Sequence, residues 1–553
     1  MPLAPTSFPA PSRRFLPVML LGIFAGLMSG PAALLPAADV PQRGGNSLRN
    51  NVSAEQGAPA SWDVDSGEGI KWKRDLGTTT YGTPVVADGQ VYVATSNDAA
   101  YLEQYPRDVD LGVLLCFDEK SGDFLWQLSR PKLDAGDVYD WSHQGICSDP
   151  YVEGDRVWIV TNRCEVLCLD TRGFRDQSND GPITNEKDAD VGSADLIWQL
   201  DMLNELGVEP RNMTTCSLTG AGNLLFVSTS NAIPEVDSVS EDNPVPAPEA
   251  PSFLAVDKKT GKVVWSDNRP GPYLLQGVWS SPAYAEIDGQ PQVIFAGGDG
   301  YVYSFDPKGD GRGHSKLLWM FDCNPKTSSF DIFDPESRNN LIATPVVYKD
   351  VVYIAVGQDP ENGDGVGCLW AISPKKRGDV SPTLVVDAQK KPVQRRRGQE
   401  LDEGAGEMEI PNPNSAMVWK YTGEDRDGDG SIGFDEEMGR AIASVTIKDD
   451  ILVIGCYSGA VHCLDAATGK AHWTYDMFAH VWSAALIVDD KIYVGDEDGD
   501  VSIFTLSTDP EVALPGGEPE AEITMGAAIY SSPVFANGTL YIATSNTLYA
   551  IEK

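Results

Sequence analysis

The sequence predicts an all-β fold: a single eight-bladed β-propeller of four-stranded antiparallel blades, with the last blade closed by the N-terminal strand. Three observations carry this expectation. An apolar strand, an Asp, a Thr/Ser-Gly turn and a Trp-bearing strand recur as one phrase, for example "LLCFDEKSGDFLWQL" at 114–128, "FLAVDKKTGKVVWSD" at 253–267 and "VHCLDAATGKAHWTYD" at 461–476. A second phrase precedes each copy: small–Pro–apolar–apolar, a turn, then a β-branched strand, as in "YGTPVVADGQVYVAT" and "IATPVVYKDVVYIAV". Such alternation around Asp-Gly, Asn-Gly or Asp-Asp turns reads as hairpins. Thirdly, the inner hairpins begin near Tyr81, Cys147, Thr215, Trp279, Ile342, Ile442, Trp482 and Tyr530, which makes eight units. Sheets that can bury their faces only against one another need a closed ring.

Taken in order, Arg13 and Arg14 precede the apolar run "FLPVMLLGIFAGLM", with small residues following as far as Ala37–Ala38. Residues 1–38 therefore read as a signal peptide, which places the protein in the periplasm or outside the cell. No later segment is apolar enough for a transmembrane span. Residues 39–60 read as a polar, poorly ordered lead-in, and the propeller fills 61–553. The final unit stops at "LYAIEK", one strand short, while "GIKWKRDLG" at 69–77 is a Trp-bearing outer strand with no hairpin before it. The two are expected to share one sheet, which removes the exposed edges of an open ring.

The net charge is −39. Residues 1–38 contribute only two Arg, so the remainder is more acidic still. Such a surface repels nucleic acid and anionic lipid and suits divalent cations. The insertion 374–415 contains "KKPVQRRRGQE". It reads as a long mobile loop on the face opposite the channel mouth, together with the insertion 171–195. Nine cysteines are present. Cys116, Cys168 and Cys463 occupy one repeat slot and read as packed thiols. Cys147, Cys164, Cys216, Cys323, Cys368 and Cys456 are able to supply one or two disulfides in an oxidising compartment, with the connectivity open.

These phrases resemble the PQQ-enzyme repeat of quinoprotein dehydrogenases and their PQQ-like relatives, over roughly 62–553. The resemblance implies an eight-bladed ring in which Trp126, Trp198, Trp265, Trp319, Trp419 and Trp473 dock between neighbouring blades. It also implies two functional classes. Quinoprotein alcohol dehydrogenases use an adjacent Cys pair, a central calcium and an aspartate base, and haem-linked members add Cys-x-x-Cys-His. This sequence has no Cys-Cys and no Cys-x-x-Cys-His. PQQ is therefore a possible cofactor without that support, and no catalytic or cofactor-binding residue is nominated. The other class is a non-catalytic propeller lipoprotein of outer-membrane β-barrel assembly, anchored through a Cys that the signal region here lacks.

One insertion carries its own chemistry. "DRDGDGSIGFDE", 425–436, follows the outer strand of blade 5 and precedes the inner strand of blade 6. Asp425, Asp427 and Asp429 fill positions 1, 3 and 5 of an EF-hand-like calcium loop. Gly430 supplies the turn at position 6, Ser431 its carbonyl at 7, and Glu436 both oxygens at 12. Pro411, Pro413 and a strand replace the entering helix, and "FDEEMGRAI" has room for one or two turns of exiting helix. A structural Ca²⁺ is expected, not a sensor. The leading functional reading is a secreted, calcium-binding scaffold that takes a ligand or protein at the channel mouth near Tyr81, Trp279, Trp482 and Tyr530. A PQQ-dependent oxidoreductase is the alternative, and a polysaccharide-active hydrolase or lyase the second.

Overall fold

The recurring Asp folds the turn that ends each third strand. Asp118 Oδ1 accepts the N–H groups of Lys120 and Ser121 at 3.1 and 2.9 Å and the Ser121 hydroxyl at 3.0 Å. Asp257 and Asp465 treat Thr260 and Thr468 the same way. The glycine that follows is left-handed (Gly122 φ +70°, Gly261 φ +70°, Gly469 φ +74°) and forms the seat for the preceding blade's tryptophan. A Cβ there would come within 2.6, 2.5 and 2.7 Å of the rings of Trp72, Trp198 and Trp419. The indole N–H then donates to a carbonyl at the start of that turn. The pairs are Trp72 to Glu119, Trp126 to Thr171, Trp198 to Lys258, Trp265 to Pro307, Trp419 to Ala466 and Trp473 to Ser507, at 2.8 to 3.1 Å. Trp319 reaches the next blade through a relay. Its N–H donates to Gln292 Oε1 at 2.8 Å, and Gln292 donates to the Pro374 carbonyl at 3.1 Å.

This computed structural model describes residues 38–134, 139–234, 243–398, 401–426, 428–434 and 436–553. The expected signal peptide lies outside them except for Ala38. Eight four-stranded antiparallel blades form the ring. Blade 1 runs Val85–Ala87, Gln90–Ser96, Leu111–Asp118 and Phe124–Pro131 from the centre outwards. The other inner strands begin at Tyr151, Thr219, Ala283, Val346, Thr446, Leu486 and Val534. The strand Ile70–Asp75 pairs antiparallel with the final strand Thr547–Ile551 and completes blade 8. The core lies between blades. Tyr92, Leu114 and Trp126 of blade 1 pack with Val157, Ile159 and Leu167 of blade 2, and burying each such side chain contributes about 1.5–3 kcal/mol. No helix among the described residues is long and apolar enough to cross a membrane.

The segment expected as a poorly ordered lead-in is instead built into the ring. An inner strand is the free edge of its sheet, with N–H groups aimed into the channel that need acceptors. Residues 40–51 supply them blade by blade, in chain order. The second residue of the inner strand donates to the segment in six blades. Val86 bonds the Val40 carbonyl, Val152 that of Pro41, Tyr284 that of Ser47, Val347 that of Leu48, and Ile487 that of Asn51. Ile447 bonds Asn50 Oδ1 at 2.8 Å. Blade 3 is held by Thr219 Oγ1 on Gln42 and by Arg49 on the Ser217 carbonyl. Blade 8 is held by Asn51 on the Pro533 carbonyl and by Glu55, which accepts from Asn537 and Gly538. Composition alone hid this: the segment is polar because its partners are backbone groups.

Two other expectations are corrected. The insertions 171–195 and 374–415 do not stay on the far face. Gly378–Asp379 adds a parallel fifth strand to blade 4 beside Trp319–Met320, and Thr383–Val386 and Met408–Pro411 form a hairpin. The chain then reaches the chamber side, where Arg395 pairs with Asp299, Arg396 with Glu407, and Arg397 donates to the Leu274 and Asn243 carbonyls. The arginines are tied into the fold and form no free basic patch. Ser193 likewise bridges in parallel to Gln127 of blade 1. All nine cysteines are free and buried. Cys147 lies 3.6 Å from the sulfur of Met213 and Cys456 3.5 Å from that of Met438. Burial pushes the thiols up, Cys147 to about 12 and Cys216 to about 11, so they behave as small apolar side chains.

Candidate functional site: a chamber with one residue from every blade

Each inner strand begins after a short entry segment, and this segment builds the centre of the ring. Tyr81, Cys147, Thr215, Trp279, Ile342, Ile442, Trp482 and Tyr530 each stand four residues ahead of their inner strand. All eight line one central cavity of about 220 Å³. The aromatics therefore surround a space and do not fill it. On one side Tyr81, Trp482 and Tyr530 form a wall, with ring centroids 5.0 to 6.0 Å apart. Trp482 Nε1 donates to Glu497 Oε2 at 2.9 Å, and the Tyr530 hydroxyl donates to Glu497 Oε1 at 3.4 Å. Across from it Trp279 donates to the Arg211 carbonyl at 3.0 Å. The Trp279 ring lies over Gly277, where a Cβ would fall 2.1 Å from it, so that position has room only for glycine. Asp359 and Glu361, from the insertion within blade 5, also line the cavity.

Two residues further along each entry segment lies a second ring, of Thr83, Asp149, Ser217, Ser281, Thr344, Ser444, Ala484 and Ser532. Backbone N–H groups donate to the side chain in the next blade at five of the eight steps. They run from Thr83 to Asp149, Asp149 to Ser217, Ser217 to Ser281, Thr344 to Ser444 and Ser532 to Thr83. The sequence shows this slot as "small, before Pro" but gives no sign that its hydroxyls join the blades. Asp149 is the one carboxylate in the ring. It is buried, and burial pushes its pKa up against the pull of Arg43. Arg43 comes from the N-terminal segment, lies 3.6 Å from Asp149 and lines the chamber. The segment that satisfies the inner strands thus also forms the chamber floor. Neither Arg43 nor Glu497 was legible in the sequence: Arg43 comes from outside the repeats, and Glu497 sits in a recurring turn whose other copies carry no acid at that position.

The 425–436 loop, expected from its sequence to hold calcium, lies on the chamber side of the ring, as its position between blades 5 and 6 requires. An antiparallel bridge between Gly423 and Glu437 closes its ends. Glu436 is buried, and its Oε1 and Oε2 accept the N–H groups of Arg426 and Gly433 at 2.7 and 3.0 Å. Position 12 is thereby folded back onto position 2. Asp425 accepts from Gly428 and Gly430 at 2.7 and 3.0 Å, and Asp429 from Ser431 at 2.8 Å. Gly430 takes φ +92°, as the sharp turn requires. Asp427 lies outside the described residues. Among those described, no three His, Cys, Asp or Glu side chains gather as a metal cluster. The all-oxygen donor set and the inward-folded glutamate still fit a hard cation. The expected exiting helix is absent among the described residues. Gly433 O accepts from Glu436 and Glu437, and the chain then enters bridges at Glu437 and Gly439.

Three consecutive blade-to-blade connections on this same side carry exposed apolar residues. Phe333 is 75% exposed between blades 4 and 5, Phe434 63% between 5 and 6, and Phe478 85% between 6 and 7. Phe478 is held at φ +59°, which is unusual for a bulky residue.

A family profile described as "Outer membrane protein assembly factor BamB" (PQQ_2) matches residues 110–376 and 412–553. The chain belongs to this PQQ-like family. Between its two matched stretches the profile skips 377–411, part of the insertion of this PQQ-like propeller that lies along blade 4. No curated protein sequence matches the chain. Among solved structures it is similar to BamB from Moraxella catarrhalis, with 13% identity, TM-score 0.50, and 87% of this chain and 99% of that one covered. Quinohemoprotein alcohol dehydrogenase from Comamonas testosteroni shares 13% identity, with TM-score 0.44 and coverage of 93% and 80%. At such identities likeness speaks to the fold alone.

Proposed function

We propose that this PQQ-like propeller is a secreted, non-catalytic binding scaffold of the periplasm or cell exterior, stabilised by Ca²⁺ in the 425–436 loop. The observation that carries this reading is the run of exposed phenylalanines, Phe333, Phe434 and Phe478, on adjacent connections around the chamber mouth. Apolar tips at a polar rim suit a protein partner. The description of the family, an assembly factor, agrees with a partner-binding role. Asp425, Asp427, Asp429 and Glu436 would hold the ion through carboxylates and Ser431 through its carbonyl.

Reconstitution with PQQ and Ca²⁺, followed by a dye-linked alcohol oxidation assay, tests the scaffold against a quinoprotein enzyme. No turnover is expected, and turnover would overturn the reading. Calcium is tested separately. Saturating Ca²⁺ is expected to raise the melting temperature by roughly 2–3 °C, the size of about 2.7 kcal/mol gained at a hundredfold excess over Kd in a chain of this length. Glu436→Gln is expected to abolish the rise. An unchanged melting temperature in the parent protein would remove calcium from the account.

A further inference from the structure

We infer that the chamber takes an organic cation, an alkylammonium or guanidinium group, seated on the Tyr81–Trp482–Tyr530 wall beside Glu497. The inference rests on the binding reading above and names the chemistry of what is bound.

Four features converge on it. An aromatic face attracts a cation through its quadrupole, more strongly where water is excluded. Here three such rings lie within 6.0 Å of one another on one side of a cavity large enough for a small ammonium or one long side chain. The polar edges of two of them are committed to one carboxylate. Trp482 Nε1 and the Tyr530 hydroxyl both donate to Glu497, which fixes the rings and keeps a negative charge at their edge. The surrounding charge has the same sign. Asp359 and Glu361 line the cavity, whereas its one lining guanidinium, Arg43, faces the buried Asp149. The tyrosines register this field: the Tyr457 hydroxyl beside Trp482 is pushed up to about 12, first by burial and then by Glu497, Asp364 and Asp359. Finally, Gln144 lines the cavity, and its Oε1 is buried with no partner among the described residues. It is an acceptor waiting for a donor, which the N–H of an alkylammonium or guanidinium or the hydroxyl of choline supplies and a quinone does not.

The test compares choline with its uncharged carbon isostere, 3,3-dimethylbutanol, on the full-length mature protein by calorimetry and tryptophan fluorescence. Choline is expected to bind saturably and at least tenfold more tightly than the isostere. Glu497→Gln, which keeps an acceptor for Trp482, is expected to weaken choline at least tenfold, to leave the isostere unchanged and to preserve the melting temperature. Trp482→Leu is expected to weaken both. A lysine tripeptide blocked at both ends tells a partner's side chain from a free amine: tighter binding than choline assigns the cation to a protein, weaker binding to a small molecule. Equal affinity for choline and its isostere would overturn the inference and leave the binding reading standing. So would choline binding indifferent to Glu497→Gln. Silence of choline would overturn it as well. Quinone-dependent turnover, in contrast, would remove the scaffold reading without touching the choline result.

Discussion

A chain lacking residues 39–57 is expected not to accumulate as a soluble monomer, although every blade strand remains. The deleted segment closes the inner edges of the blades, and each net hydrogen bond contributes about 1 kcal/mol. Summed over its bonds to all eight blades, this is comparable with the whole stability of a typical domain, roughly 5–15 kcal/mol. Arg49 is the point substitution of largest effect. Its buried guanidinium donates to the carbonyls of Pro282, Ser217 and Arg43 at 2.8, 2.5 and 3.2 Å, and burial pulls its pKa down to about 10. Arg49→Ala leaves buried carbonyls without donors and is expected to cost roughly 3 kcal/mol. Asn51→Ala, which removes the side-chain bonds to the Ala485 and Pro533 carbonyls of blades 7 and 8, is expected to cost roughly 2 kcal/mol. Soluble yield, size-exclusion chromatography and urea melts read these effects. A deletion variant with parental yield and midpoint would show that the blades close unaided.

The second large effect concerns the blade-to-blade joint. Trp198→Ala is expected to cost roughly 3–5 kcal/mol, because it empties a buried site and removes the bond to the Lys258 carbonyl. Gly261→Ala alone is expected to cost roughly 1–3 kcal/mol, through left-handed strain and a methyl 2.5 Å from the Trp198 ring. The double variant is expected to lose clearly less than the sum, since without the indole the methyl has nothing to strike. Denaturant melts of the four proteins give the cycle. Additive losses would mean that this glycine is not the seat of this tryptophan.

The joint explains why so much of the fold could be read. Asp, Thr/Ser, Gly and Trp each have one geometric task per blade, so the phrase recurs, and even the missing strand is visible as a Trp without a hairpin. The chamber was half legible. Its eight lining positions follow from register, four residues ahead of each inner strand, and Tyr81, Trp279, Trp482 and Tyr530 belong to it as expected. The rest was hidden for identifiable reasons. Arg43 belongs to a segment whose polar residues bond main chain, which in sequence looks like a solvated tail. Glu497 is one acid among many in "DEDGD", and only the fold sets it against Trp482. The insertions 171–195 and 374–415 begin at a connection on the far face, but their direction depends on pairing with a neighbouring blade's outer strand. A parallel pairing of this kind recurs between Ser266 and His314, but the connections that make it differ in length and sequence, so no common phrase marks it.

Amide hydrogen exchange on Val86, Val152, Tyr284, Val347 and Ile487 reads most directly whether this ring is threaded from within. Their N–H groups point away from their own sheets and have only the N-terminal segment as acceptor. They are expected to exchange as slowly as the amides inside the blades. Exchange at the rate of a solvated edge strand, with the neighbouring blade amides still protected, would contradict this: the channel would then run open from end to end.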